Sequence, residues 1–348
     1  MKNYTHTLLG GSVAAMLMVS SASAFEALPN EVPVPADNPI TAEKVALGKQ
    51  LYFDPRLSVD GTVSCNSCHN VMSSGTDNRA TSVGVNGQRG GRSAPTVWNA
   101  AFLTAQFWDG RAATLEDQSK GPPLNPIEMG MPSAEAVVER LNAIPGYVEQ
   151  FNAVFGGKNA VSYDNMAKAI ATFERTLITR NSPFDRYVQG DEKALSDQAK
   201  RGMKAFEKAS CNACHSGANF AGPTSLPMGE GFYQKFPMIP GSKYDVQYKL
   251  SEDKGRFEAT HDEADKHMWR VPSLRNVALT APYFHNGAVE TLDEAVRVMA
   301  KTQLNIEMSD QDVADIVAFL ESLTGEFPVI TMPRLPDTVG SSLVGAQK

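Results

Sequence analysis

Cys65-Asn66-Ser67-Cys68-His69 and Cys211-Asn212-Ala213-Cys214-His215 are one pattern written twice, and together they use all four cysteines of a 348-residue chain. Two thiols three positions apart, followed at once by a histidine, are the attachment signature of haem c. The thiols add across the two porphyrin vinyl groups, and the imidazole that follows falls under the iron as proximal ligand. A redox dithiol or half of a zinc site explains a C-x-x-C pair, but neither requires the adjoining histidine, still less in both copies. Two covalent haem c groups are therefore expected, one held by Cys65, Cys68 and His69, the other by Cys211, Cys214 and His215.

The rest of the composition is that of an ordinary globular protein, 42% hydrophobic and 20% charged. Its 32 Lys and Arg against 39 Asp and Glu give a net charge of -7, which argues against nucleic acid, since a phosphate backbone selects basic surfaces. The N-terminus reads as a signal peptide over residues 1–24. Lys2 is the positive end, Leu8 to Val19 the apolar run, and Ala22-Ser23-Ala24 the cleavage signal. That run is shorter than the ~20 residues that span a bilayer. A soluble protein of a Gram-negative periplasm is expected. In that oxidising compartment free cysteines would pair, but haem attachment leaves none to do so.

An internal duplication decides the architecture. Pro95-Thr96-Val97-Trp98-Asn99 matches Pro272-Ser273-Leu274-Arg275-Asn276, and Phe107-Trp108-Asp109-Gly110 matches Phe284-His285-Asn286-Gly287. These blocks are offset by 177 residues and the haem motifs by 146, so the second half carries 31 more residues between motif and block. Each motif follows a helical pattern, Glu43 to Tyr52 and Gln198 to Glu207. Each half closes on an amphipathic helix, striped by Ile170, Phe173 and Leu177 and by Ile316, Phe319 and Leu323. Thr114-x-x-Asp117 and Thr291-x-x-Glu294 resemble capping boxes, and Ser309-x-x-Asp312 starts the last helix. No alternating strand pattern of useful length occurs. The Pro/Gly-rich stretches 121–132 and 222–241 read as long loops. The expected fold is mainly α, two tandem cytochrome c-like haem domains, 25–180 and 181–348, divided at Asn181-Ser182-Pro183.

A haem domain must fill the iron's sixth position for electron transfer or leave it open for substrate. Beyond the signal peptide the first half has no histidine except His69. Met72, Met129 and Met131 are its candidate ligands, as Met299, Met228, Met238, Met268 and Met308 are for the second half. Any of these is equally explained as packing.

The two haem motifs stand with Phe107-Trp108-Asp109-Gly110-Arg111-Ala112, Gly121-Pro122 and Glu128-Met129-Gly130. With Leu274-Arg275-Asn276-Val277-Ala278-Leu279-Thr280-Ala281-Pro282-Tyr283-Phe284-His285 added, the set resembles the bacterial di-haem cytochrome c peroxidases from about residue 40 to 325. The resemblance implies a peroxidatic N-terminal haem and an electron-accepting C-terminal haem with Met299 as its distal ligand. It places Trp108 between the haems, Gln118 and Glu128 in the peroxide pocket, and His285 near the second haem. It implies reduction of hydrogen peroxide to water, a small soluble monohaem cytochrome c or cupredoxin as donor, and a homodimer. His261 and His267, among many charges, read as solvent-facing.

Two positions depart from the family pattern. Many members carry a histidine on the loop after the first haem motif that caps the peroxidatic iron until the other haem is reduced. In Thr81–Gln88 that place is Val85, which cannot ligate iron. Family members also hold Ca²⁺ through an asparagine and backbone oxygens; the oxygens map onto Thr280 and Pro282, and the asparagine position onto Ser93, a weaker ligand. Two other readings remain: a MauG-type enzyme that oxidises a partner protein, whose relatives carry tyrosine where Met299 stands, and a non-enzymatic di-haem carrier with both irons six-coordinate.

Overall fold

The computed structural model describes residues 25–338, 340 and 342–344, so the expected signal peptide, residues 1–24, lies outside the described residues. In each half a leading helix crosses a closing helix. The pairs are Ala42–Phe53 with Tyr163–Glu174, and Asp197–Lys208 with Asp310–Glu321. Side-chain oxygens of Thr41, Ser162, Ser196 and Ser309 cap the four N-termini, accepting from early backbone amides that have no partner inside the helix. The crossings are close because each has a glycine at the contact. A Cβ at Gly48 would overlap the carbonyl oxygen of Ala169, and one at Gly202 that of Asp315.

The apolar stripes meet under these crossings. Leu47, Leu51 and Tyr52 pack with Ile170, Phe173 and Leu177 in the first half. Phe206 and Phe220 pack with Ile316, Phe319 and Leu323 in the second. The repeat is also visible in backbone conformation. Phe107 and Phe284, at φ 69° and 68°, turn the chain so that Gln106 bridges Ala112 and Tyr283 bridges Val289.

The halves are laced together at their ends rather than cut cleanly at residue 181. Phe25 sits in the aromatic core of the second half, its ring 5.6 Å from that of Phe220. Arg275 donates to the carbonyl of Glu26 at 3.1 Å. In return, the C-terminal tail crosses to the first half. Phe327 packs edge-on against Trp98 at 4.9 Å, and Arg56 donates to the carbonyl of Pro336 at 2.9 Å. Between them lies a buried node. Asn99 and Asn276, both left-handed and fully buried, donate to the Thr179 hydroxyl at 2.8 and 2.9 Å.

The helical architecture agrees with the sequence reading, and the differences are local. Tyr233–Lys235 and Met268–Arg270 pair antiparallel within the longer connection of the second half. Strands of three residues are too short for alternation to register. The stretch 121–132 contains a helical turn, Gly121–Leu124, started by prolines. Thr114 does accept from the Asp117 amide at 3.1 Å. The box at Thr291 does not form, because Glu294 instead accepts from the Tyr248 hydroxyl at 2.8 Å.

Gly48→Ala and Gly202→Ala are each expected to lower stability by about 1–3 kcal/mol in denaturant titration, since backbone must move to admit the methyl group.

Candidate di-haem site

Both haem motifs form one short helical turn, Cys65–Cys68 and Cys211–Ala213, which presents the following histidine to a cavity. His69 Nδ1 lies 2.9 Å from the carbonyl oxygen of Pro95, and His215 Nδ1 lies 3.1 Å from that of Phe220. A carbonyl only accepts, so Nδ1 carries the proton and Nε2 is left as the ligating nitrogen. Burial lowers both imidazole pKa values, which favours the neutral ligand form. None of the four cysteines is in a disulfide.

His69 and Cys68 line the first cavity, and His215 and Cys211 line the second. The two cavities share a wall that includes Pro95, Thr96, Phe107 and Trp108. Trp108 is fixed there from both halves. Its indole donates to the carbonyl of Ser93 at 2.8 Å, and its own carbonyl accepts from the Arg270 amide at 3.0 Å.

Glu128 and Gln118 are on the wall of the first cavity with His69. Glu128 accepts from the Asn125 amide at 2.8 Å. Burial pushes its carboxyl above the usual range, against the opposing pull of Arg111 and Asn125. Arg111 is held by Asp109 at 2.9 Å and lies 3.5 Å over the Phe107 ring. Gly84 lets the adjoining loop reach this segment, for a Cβ there would overlap the Ile127 carbonyl. Val85 on that loop faces away from the cavity. It is 1% exposed, packs in the first core, and its amide donates to the Glu128 carbonyl at 2.9 Å.

Met129 and Met131 are buried in the same core, and Met72 is exposed, so none of the three lines the first cavity. Met299, on the helix Leu292–Leu304, lines the second cavity with His215. Met308 also reaches that wall, whereas Met228, Met238 and Met268 do not.

His285 lines neither cavity. It stacks on Trp269 at 4.2 Å, and its carbonyl accepts from the Ser93 amide at 2.7 Å. His261 is exposed, but His267 is half-buried, with Nδ1 against the Asp253 carbonyl at 3.1 Å.

Ser93, Thr280 and Pro282 all reach the wall of the second cavity. The Ser93 hydroxyl, however, donates to the Arg79 carbonyl at 3.3 Å. The side chain that bridges to this segment is Asn78, whose amide meets the carbonyls of Leu279 and Ala281 at 3.0 and 2.8 Å. Asn78, nine residues after the first haem histidine, was not singled out in the sequence reading. Two more residues escaped the sequence reading. Arg92 holds Asp109 at 2.6 Å and Asp253 at 2.7 Å and lies 4.9 Å over Trp269. Glu174 is buried on the wall of the first cavity.

Two haem c motifs, each flanking its own cavity and separated by one tryptophan-bearing wall, define a tandem di-haem c-type cytochrome. Residues 42–193 match the model of the di-haem cytochrome c peroxidase family, and residues 199–324 match that of cytochrome c. The chain is 46% identical to the cytochrome c551 peroxidase of Pseudomonas aeruginosa, over 90% of this chain and 87% of that protein. It is 41% identical to the cytochrome c551 peroxidase of Nitrosomonas europaea, over 96% and 95%. The structure of a MauG-like protein associated with microbial copper homeostasis is 32% identical, with a TM-score of 0.75 over 86% of this chain and 95% of that one. This chain belongs to the di-haem cytochrome c peroxidase family and carries haem c. No helix among the described residues is long and apolar enough to cross a membrane.

Burial pushes the His285 imidazole down to about 4. Unfolded chains protonate this histidine below its ordinary pKa of ~6.5 while the native one stays neutral, so stability is full above that pH and is lost as pH falls toward 4. Denaturation across this window should show a decline that His285→Phe reduces by on the order of 3 kcal/mol.

Proposed function

We propose that this chain reduces hydrogen peroxide to water in the first cavity, with electrons that enter through the second. One observation carries the reading. Apart from His69, the wall of the first cavity holds no histidine and no methionine among the described residues, while Met299 shares the second cavity with His215. An iron open on one side suits substrate, and a Met/His iron suits an electron store. The haem of the first half supplies the redox site for peroxide, and that of the second relays electrons.

The residues do the rest. Peroxide needs a proton moved from one oxygen to the other before its O–O bond breaks, and two further electrons and protons complete two waters. Glu128, whose carboxyl is biased toward the protonated form, carries that proton. Gln118, on the same wall, donates a hydrogen bond that orients peroxide or Glu128. Trp108, common to both cavities, bridges the route for electrons. Val85 lies in the core, which supports a first half that works without a histidine to release.

A monohaem cytochrome c or a cupredoxin is the donor class, and a periplasmic homodimer, exported by residues 1–24, is the setting that the family resemblance supports. If Ca²⁺ binds between the halves, the family resemblance supports Ser93 with the backbone oxygens of Thr280 and Pro282, all three residues being on the wall of the second cavity. Ser93→Ala should then weaken Ca²⁺ binding in calorimetric titration; unchanged binding rejects the Ser93 site.

Turnover with reduced cytochrome c or cupredoxin is expected, and Glu128→Gln should lower kcat about 10²–10⁴-fold with haem content unchanged. The diferric protein should show a high-spin or water-bound first haem. A low-spin bis-nitrogen signal there removes the open-site reading. Two low-spin haems without turnover favour the electron carrier, and oxidation of tryptophans on a partner protein favours MauG-type chemistry.

A further inference from the structure

Glu174 closes the helix Tyr163–Glu174 and is 6% exposed, yet the peroxide chemistry leaves it unused. Its side chain is part of the wall of the first cavity, and Oε2 has no hydrogen-bond partner. Arg175, next in sequence, is turned to Glu116, which it holds through two bonds of 2.7 and 2.9 Å. A buried carboxylate without a partner is costly and tends to neutralise. Burial pushes this carboxyl up to about 8; Arg175 opposes the shift and Glu116 adds to it.

The repeat provides an internal comparison. At the offset of 146 that relates the haem motifs, Ile170 and Phe173 correspond to Ile316 and Phe319, and Glu174 corresponds to Leu320. Leu320 is 4% exposed and lines the second cavity. Packing at this point of the closing helix is thus met by leucine. A carboxyl is present only on the side where the substrate is reduced.

We propose that Glu174 is the redox-linked proton-binding residue of the first half, taking up one proton when the first haem iron gains one electron. The inference rests on a haem in the first cavity and not on peroxide turnover. Ferric iron and the Glu174 carboxylate, with one electron from the donor and one proton from solvent, become ferrous iron and the carboxylic acid. Adding negative charge to a low-dielectric cavity tightens proton binding by the carboxylate, and by linkage the bound proton favours reduction.

Other ionisable groups face this region. Tyr52, from the leading helix, donates its hydroxyl to the His69 carbonyl at 2.7 Å, and burial holds it neutral. Glu116, on the helix Leu115–Ser119, is paired with Arg175. Cys65 is consumed by haem attachment. Asp253, held by Arg92 at 2.7 Å, and Glu128, with Arg111, are elsewhere on the same wall, and the titration of Glu128 must be separated from that of Glu174.

The test is potentiometric titration of the holoprotein followed at each haem's absorption, from about pH 6 to pH 10. In the native protein the reduction equilibrium of the first haem should shift about tenfold per pH unit, about 59 mV, within that range. Glu174→Gln should abolish this slope and leave the second haem unchanged, while Glu128→Gln should retain it. An intact slope in Glu174→Gln overturns the proposal and assigns the proton elsewhere, for instance to a haem propionate. If that variant fails to take up haem, infrared difference spectra of the native protein decide. Reduction of the first haem must raise a protonated-carboxyl band that shifts in D₂O, and its absence overturns the proposal. Loss of the peroxidase reading would show separately, as absent turnover in a native protein with the slope intact.

Discussion

The Thr179 hydroxyl accepts from the side-chain amides of Asn99 and Asn276 at 2.8 and 2.9 Å, and its own amide donates to Asn99 Oδ1 at 2.9 Å. The node is closed by the Gly325 amide on Asn276 Oδ1 at 3.1 Å. Thr179, Asn99 and Asn276 are all buried, so each of their donors and acceptors is satisfied here or at a cost of about 1–3 kcal/mol. Asn99 and Asn276 end the matching Pro-rich segments of the two halves, and those segments run on into the wall between the cavities. Fixing both to one threonine fixes the spacing of the two cavities and the place of Trp108 between them.

On that shared frame the halves differ in side chains rather than in shape. The closing helices carry the same apolar stripe, but Glu174 faces the first cavity where Leu320 faces the second. The matching hairpins carry Trp108 on the common wall and His285 stacked behind it on Trp269. Arg92 ties this region together, holding Asp109 of the first half and Asp253 of the second. A low-dielectric interior makes such single charges count, and they are concentrated on the side of the first cavity.

The two haem motifs were legible in the sequence because covalent attachment needs two thiols and a histidine at one spacing. Both crossings were legible as helices, since Ile170, Phe173, Leu177 and their counterparts keep a helical period. The pairing of Gly48 with Ala169 was not, because contact between backbones leaves no periodicity. Glu128 and Gln118 could be named only by resemblance; a loop glutamate and a short-helix glutamine look like surface residues until the chain folds them onto one wall. Asn78 was not singled out because a loop asparagine carries no periodic signal, and only the fold brings its amide to the carbonyls of Leu279 and Ala281.

Local chemistry written in contiguous residues, such as the two haem motifs, the caps and the amphipathic stripes, is decided by the sequence, since each depends on neighbours within a few positions. Four cysteines placed in two C-x-x-C-H patterns already implied two haems. What only the tertiary structure decided is which groups share a cavity and which are denied a partner. Arg175 follows Glu174 in the chain yet pairs with Glu116, and Val85 stands on the loop by the first haem yet fills the core. Burial, orientation and the loss of water are properties of elements brought together from distant segments, and they set the charge and reach of every side chain around the first haem.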